Sequence, residues 1–131
     1  MTTTSTELWI AGWSCVLAGF ASGALIGLGF ADERFLGGYA GWRRRLVRLG
    51  HIACIALGIL QMLAALSPLG NADDTLARAG ATLWICGALA MPTVCFLSAW
   101  RAPFRHLFFV PVLSLSSAAV CTLVSIANAA H

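Results

Sequence analysis

The chain has no lysine and little charge of either sign: eight arginines and five carboxylates, 10% of its 131 residues. A soluble domain carries roughly 25% charged residues. With 60% hydrophobic residues, a water-soluble fold of this length could not hide its apolar surface, so the expected solvent is lipid. The missing lysine also removes a P-loop reading from Gly37-Gly38-Tyr39-Ala40-Gly41. No GxGxxG, HExxH or CxxC motif is present. The five cysteines fall inside apolar runs, which argues against a disulfide framework. Met1 to Glu7 lacks the positive segment of a secretory signal, so the first apolar run is expected to remain as a span.

What the chain does have is four long apolar runs, at about 8–30, 49–66, 79–100 and 107–130. Each is near the ~20 residues that cross a ~30 Å hydrocarbon core at 1.5 Å per residue. In lipid, every backbone amide must be satisfied inside its own segment, and these runs lack the alternation of barrel strands. The expectation is an all-α integral membrane four-helix bundle, up-down-up-down, forming one transmembrane domain. None of the four runs holds an acidic or basic residue at its centre, which weighs against a proton-coupled transporter.

The arginines are unevenly placed. Arg34, Arg43, Arg44, Arg45 and Arg48 lie in or beside the first connection, and Arg101 and Arg105 flank the third. The second holds only Arg78, beside Asp73 and Asp74. Such a cluster flanks a membrane and does not resemble a nucleic-acid surface. Positive-inside asymmetry puts the first and third connections in the cytoplasm and both termini outside, in the inner (cytoplasmic) membrane.

Gly19, Gly23 and Gly27 form a GxxxGxxxG ridge on the first helix, which predicts close backbone packing against a helix of this chain or of another. Pro92 removes a backbone bond midway along the third span, where a kink is expected.

Two histidines are the sharpest chemical feature. His51 lies about one turn inside the second span and His106 begins the fourth. In a regular bundle these helices are diagonal and parallel, so both imidazoles would share a depth and could ligate one b-type haem. Gly58, on the face of His51, Ile55 and Met62, would leave room for the macrocycle. Arg48, Arg44 and Arg105 would meet its propionates. The simpler alternative is that both histidines snorkel at the interface. Cys54 and Cys95 share that layer and suit a mixed sulfur–nitrogen copper or zinc site. Cys15, Cys86 and Cys121 lie in the other half, where three thiolates could hold a soft cation. For all five, packing as small hydrophobes is the plainer reading.

Three functions are therefore carried forward. The first is a small membrane subunit or accessory protein of a larger, bioenergetic complex, acting through helix packing and without catalysis of its own. The second is a protein holding one haem b, or copper, near the cytoplasmic face. The third is a small oligomeric transporter or channel for a metal or neutral solute. The expected partners are the lipid bilayer and other membrane subunits or further copies of this chain.

Overall fold

The structure is a computed structural model that describes residues 2–130; Met1 and His131 lie outside the described residues. It is all-helical among those residues, with no strand. Four helices are long and apolar enough to cross a membrane. They are α1 (Thr3–Gly29), α2 (Trp42–Leu66), α4 (Thr75–Trp100) and α5 (Phe109–Ala129). A single turn of helix, α3 (Pro68–Asn71), sits in the second connection. A 3₁₀ segment, Ala102–Phe108, leads into α5.

α1 and α4 begin at side-chain caps. The Thr2 hydroxyl accepts from Ser5 N at 3.1 Å, and the Asp74 carboxylate accepts from Ala77 N at 2.7 Å. Each satisfies an amide left free by the first turn. With Asp74 as its cap, α4 starts at Thr75, ahead of the expected boundary near 79. α2 reaches further still beyond its apolar run. It begins at Trp42, not near 49, because nothing between Gly41 and Leu49 breaks a helix and arginine favours one. Arg43, Arg44, Arg45 and Arg48 are thus helical residues on its first two turns.

The first connection is short and bent. A 3₁₀ turn, Phe35–Gly37, ends on Gly37 and passes into Gly38, at φ values of 87° and 83°, a region glycine enters without steric cost. α4 runs unbroken through Pro92.

Sequential helices are neighbours, as short links require: α2 lies between α1 and α4, and α4 between α2 and α5. α1 also touches α4. The central pair carries most of the burial. In α4, 44% of the span is buried; in the last helix the figure is 11%, so α5 is laid on the outside of α4. It is held there by small residues and two hydroxyls. A Cβ at Gly87 would lie 2.7 Å from the Leu115 side chain. Ser114 donates to Leu83 O at 2.8 Å, and Trp84 Nε1 donates to Thr122 Oγ1 at 3.0 Å.

The apolar core lies toward the second connection. Leu8, Ala64, Ala65, Leu69, Ala81, Trp84 and Ala118 pack together there. The same end is tied by polar contacts. Thr2 donates to Gly70 O, Thr4 Oγ1 to Asp73 Oδ1 at 3.0 Å, and Ser5 Oγ to Ala65 O at 3.4 Å.

Candidate functional site

The seam between α1 and α2 decides where the sequence-predicted residues go. At its tightest point, Gly12 faces Gly58 and the backbones touch. A Cβ on Gly12 would lie 2.8 Å from Gly58 O, and one on Gly58 would lie 2.6 Å from Gly12 O. Next along the seam, Gly19 meets the Ile55 side chain, and then Gly23 meets His51. Gly27 meets nothing within 4 Å. The partners descend in α2 as the glycines ascend in α1, so the helices are antiparallel. They also diverge. Backbone contact gives way to an aliphatic side chain, then to an imidazole, then to open space.

His51 fills the widening gap. Its ring lies against Gly23, where a Cβ would come within 2.6 Å of Cε1. Its Nδ1 is 2.8 Å from Gly19 O, so the N–H is placed on Nδ1 and donates to that carbonyl. The Ser22 hydroxyl stands 3.5 Å from the same nitrogen. A cleft of about 290 Å³ opens beside the ring, lined by Gly23, Ile26, Phe30, Arg48, His51 and Ile52.

The face of α2 bearing His51, Ile55, Gly58 and Met62 therefore meets α1, where the sequence reading turned it toward the fourth span. Gly58 admits the backbone of Gly12 in place of a macrocycle. His106 lies elsewhere, exposed on the 3₁₀ segment that packs on α4 and α5. The structure does not bring the two imidazoles to one site.

The arginines divide by environment. Arg44 is 7% exposed, and its Nε has no hydrogen-bond partner. Its guanidinium lies 4.4 Å from the Phe30 ring centroid and 5.4 Å from that of Tyr39. Arg48 stacks on Tyr39 at 5.5 Å, and Arg43 on Trp42 at 5.8 Å. Aromatic faces attract a partly desolvated cation, and the contacts of Arg44 and Arg48 with Phe30 and Tyr39 hold the first connection against the start of α2. Arg45 and Arg105 remain exposed and share a groove with Trp42, Leu46, Ala102 and Phe108.

The cysteines regroup as well. Cys15, Cys54 and Cys95 are buried, Cys86 is exposed and Cys121 is half-buried. Cys15 and Cys54 line a common cavity of about 250 Å³ next to Pro92 and Phe96. Cys95 packs against α2 at Gly50, where a Cβ would lie 3.1 Å from its own. Among the described residues, no three His, Cys, Asp or Glu side chains are placed to hold one metal ion. Gln61, fully buried, points Nε2 at Cys15 Sγ (3.9 Å) and leaves Oε1 unpaired.

Sequence reasoning missed Gly12 and the true role of Gly58. The signal was available. Gly12 lies seven residues before Gly19, two turns along the same face. The arrangement at the arginine-rich end can seat an anion or a lipophilic group, through arginines set among aromatic and aliphatic walls. Comparisons with protein-family models, curated proteins and solved structures found no match.

Proposed function

We propose that this chain is a small multi-pass subunit or accessory protein of a larger membrane complex, bioenergetic in type, and that it works by packing its outer helix surfaces against other subunits. The observation that supports this most is the uneven use of its helix surfaces. α5 is packed on one side only, and its other side carries Ser116 and Ser117 exposed at mid-span, beside Val120 and Val124. Small and hydroxylated residues are what membrane helices use to approach one another. Gly27, with nothing near it, offers a second small surface on α1. His51, the residue on which a cofactor reading depends, is engaged in an internal helix contact.

In this reading the arginine-rich end faces the cytoplasm of an inner membrane and both termini lie outside. Four arginines on the first two turns of α2, with Arg101 and Arg105 beside the 3₁₀ segment, make that end the more positive. Single cysteines at Thr3 and Gly41 in a cysteine-free background test the orientation. Labelling of the Thr3 site alone from outside intact cells is expected, and labelling of the Gly41 site alone reverses it.

The functional test is extraction from native membranes in a mild detergent, followed by the mass and chain ratio of the particle. The expected result is a fixed ratio to a larger membrane protein, lost when Ser116 and Ser117 are both replaced by Leu. A particle made of this chain alone overturns the proposal and turns attention to oligomeric transport.

A further inference from the structure

The groove between the first turn of α2 and the 3₁₀ segment has a composition that the packing of the bundle does not require. Arg45 and Arg105 come from two different elements and line one depression of about 620 Å³. Its remaining walls are Trp42, Leu46, Ala102 and Phe108, and no acidic side chain lines it. Neither arginine stacks on an aromatic ring as Arg43, Arg44 and Arg48 do. Both are exposed.

The start of α2 adds to the same potential. Gly41 caps it without a side-chain hydrogen bond, and no acidic residue lies in its first turn. The free amides and the positive end of the helix dipole therefore stand at the groove's edge. One turn further along α2, Leu49 continues the helical face of Trp42, Arg45 and Leu46 and is exposed, as are Phe109 and Val112 at the start of α5.

We propose that this groove binds an anionic phospholipid. The phosphate sits between Arg45 and Arg105, Trp42 lies at headgroup level, and the acyl chains follow Leu46 and Phe108 toward Leu49 and Phe109. Guanidinium groups match phosphate oxygens in paired hydrogen bonds. Two of them beside apolar walls suit a molecule with an anionic head and a greasy tail better than a soluble anion. Basic clusters at the cytoplasmic ends of membrane helices recognise acidic lipids by this chemistry.

The inference rests on the reading that the helices cross a membrane. That reading fails separately, as a protein that stays dispersed in water without detergent. The test here uses the whole chain in a neutral detergent and counts bound lipid by native mass spectrometry. The probes are phosphatidylglycerol, phosphatidylcholine with the same acyl chains, and inorganic phosphate. Retention of phosphatidylglycerol over phosphatidylcholine is expected. Arg45→Gln or Arg105→Gln should each weaken it about five-fold, and the double variant about 30-fold. Arg78→Gln, at the other end, should leave it unchanged. If the double variant does not fold, Arg105→Gln alone decides, since that residue is exposed on the 3₁₀ segment. Equal binding of the two lipids overturns the proposal, as does phosphatidylglycerol binding indifferent to both arginines. Displacement of the lipid by millimolar inorganic phosphate would mark a soluble-anion site and overturn it too. So would an acidic peptide that binds there when the lipid does not.

Discussion

The two ends of this bundle are built on different principles. At the end of the second connection, α1 is sewn to its neighbours. Thr4 reaches Asp73, Ser5 reaches the Ala65 carbonyl, and Leu8 and Leu69 are fully buried beneath. At the arginine-rich end, the chain is held by cations against rings, and clefts open beside His51 and between Arg45 and Arg105. The α1–α2 seam joins the two regimes. It is closed at Gly12 and Gly58 and open at Gly27. Packed, hydrogen-bonded segments open rarely, while segments with few buried contacts open readily. The lesson is that hydrogen bonds and buried aliphatic packing hold one end, while stacking of arginines on rings holds the other.

Substitutions at the closed end should therefore cost more than those at the open end. Gly58→Leu should do the most damage, because its Cβ would stand 2.6 Å from a backbone oxygen that cannot rotate away. A loss of about 3 kcal/mol or outright failure to assemble is expected, read as thermal stability in detergent. An unchanged melting temperature would mean that the helices do not touch there.

Asp73→Ala comes next. It removes the acceptor of Thr4 Oγ1 and N at the sewn end. Asp73 is exposed and its contact with Thr4 N is long, at 3.5 Å, so the loss should be about 1.5 kcal/mol, most of it from the Oγ1 bond. The part of the loss owed to the Thr4 hydroxyl should disappear in a Thr4→Val background, which keeps the backbone N–H, and a double-mutant cycle showing no coupling would refute the side-chain tie.

His51→Phe should matter least. It keeps a ring against Gly23 and loses only the bond to Gly19 O, worth about 1 kcal/mol. A loss several times larger would give His51 a role beyond wedging the seam.

The contrast between ends also marks how much the amino-acid pattern could disclose. Four spans, their alternation and the arginine asymmetry follow from length and charge, and those elements stand close to where the runs put them. Gly19 and Gly23 were legible as packing residues because a fourfold glycine spacing has few other uses. Gly27, third in the same spacing, meets nothing within 4 Å in this chain, and no local signal told it from the others. The direction of His51 was hidden for a related reason. A span that is apolar on every side has no polar face to show which side meets a neighbour. The start of α2 lies outside its apolar run because its first two turns are rich in arginine. Hydrophobic runs mark the lipid-crossing part of a helix and leave out the turns that project beyond it.

The taper of the α1–α2 seam is the claim on which the rest depends, and an alanine scan of α1 tests it most directly. Alanine in place of glycine stabilises an unstrained helix by about 0.4–1 kcal/mol, so the sign of each change reports the space around it. The melting temperature should fall for Gly12→Ala, whose Cβ meets backbone, and for Gly19→Ala, whose Cβ meets the Ile55 side chain. It should be nearly unchanged for Gly23→Ala, where the His51 ring can yield, and should rise for Gly27→Ala, where nothing lies within 4 Å. A progression from loss to gain along the helix is the predicted result. Four changes of one sign, or a loss that is greatest at Gly27, would contradict it.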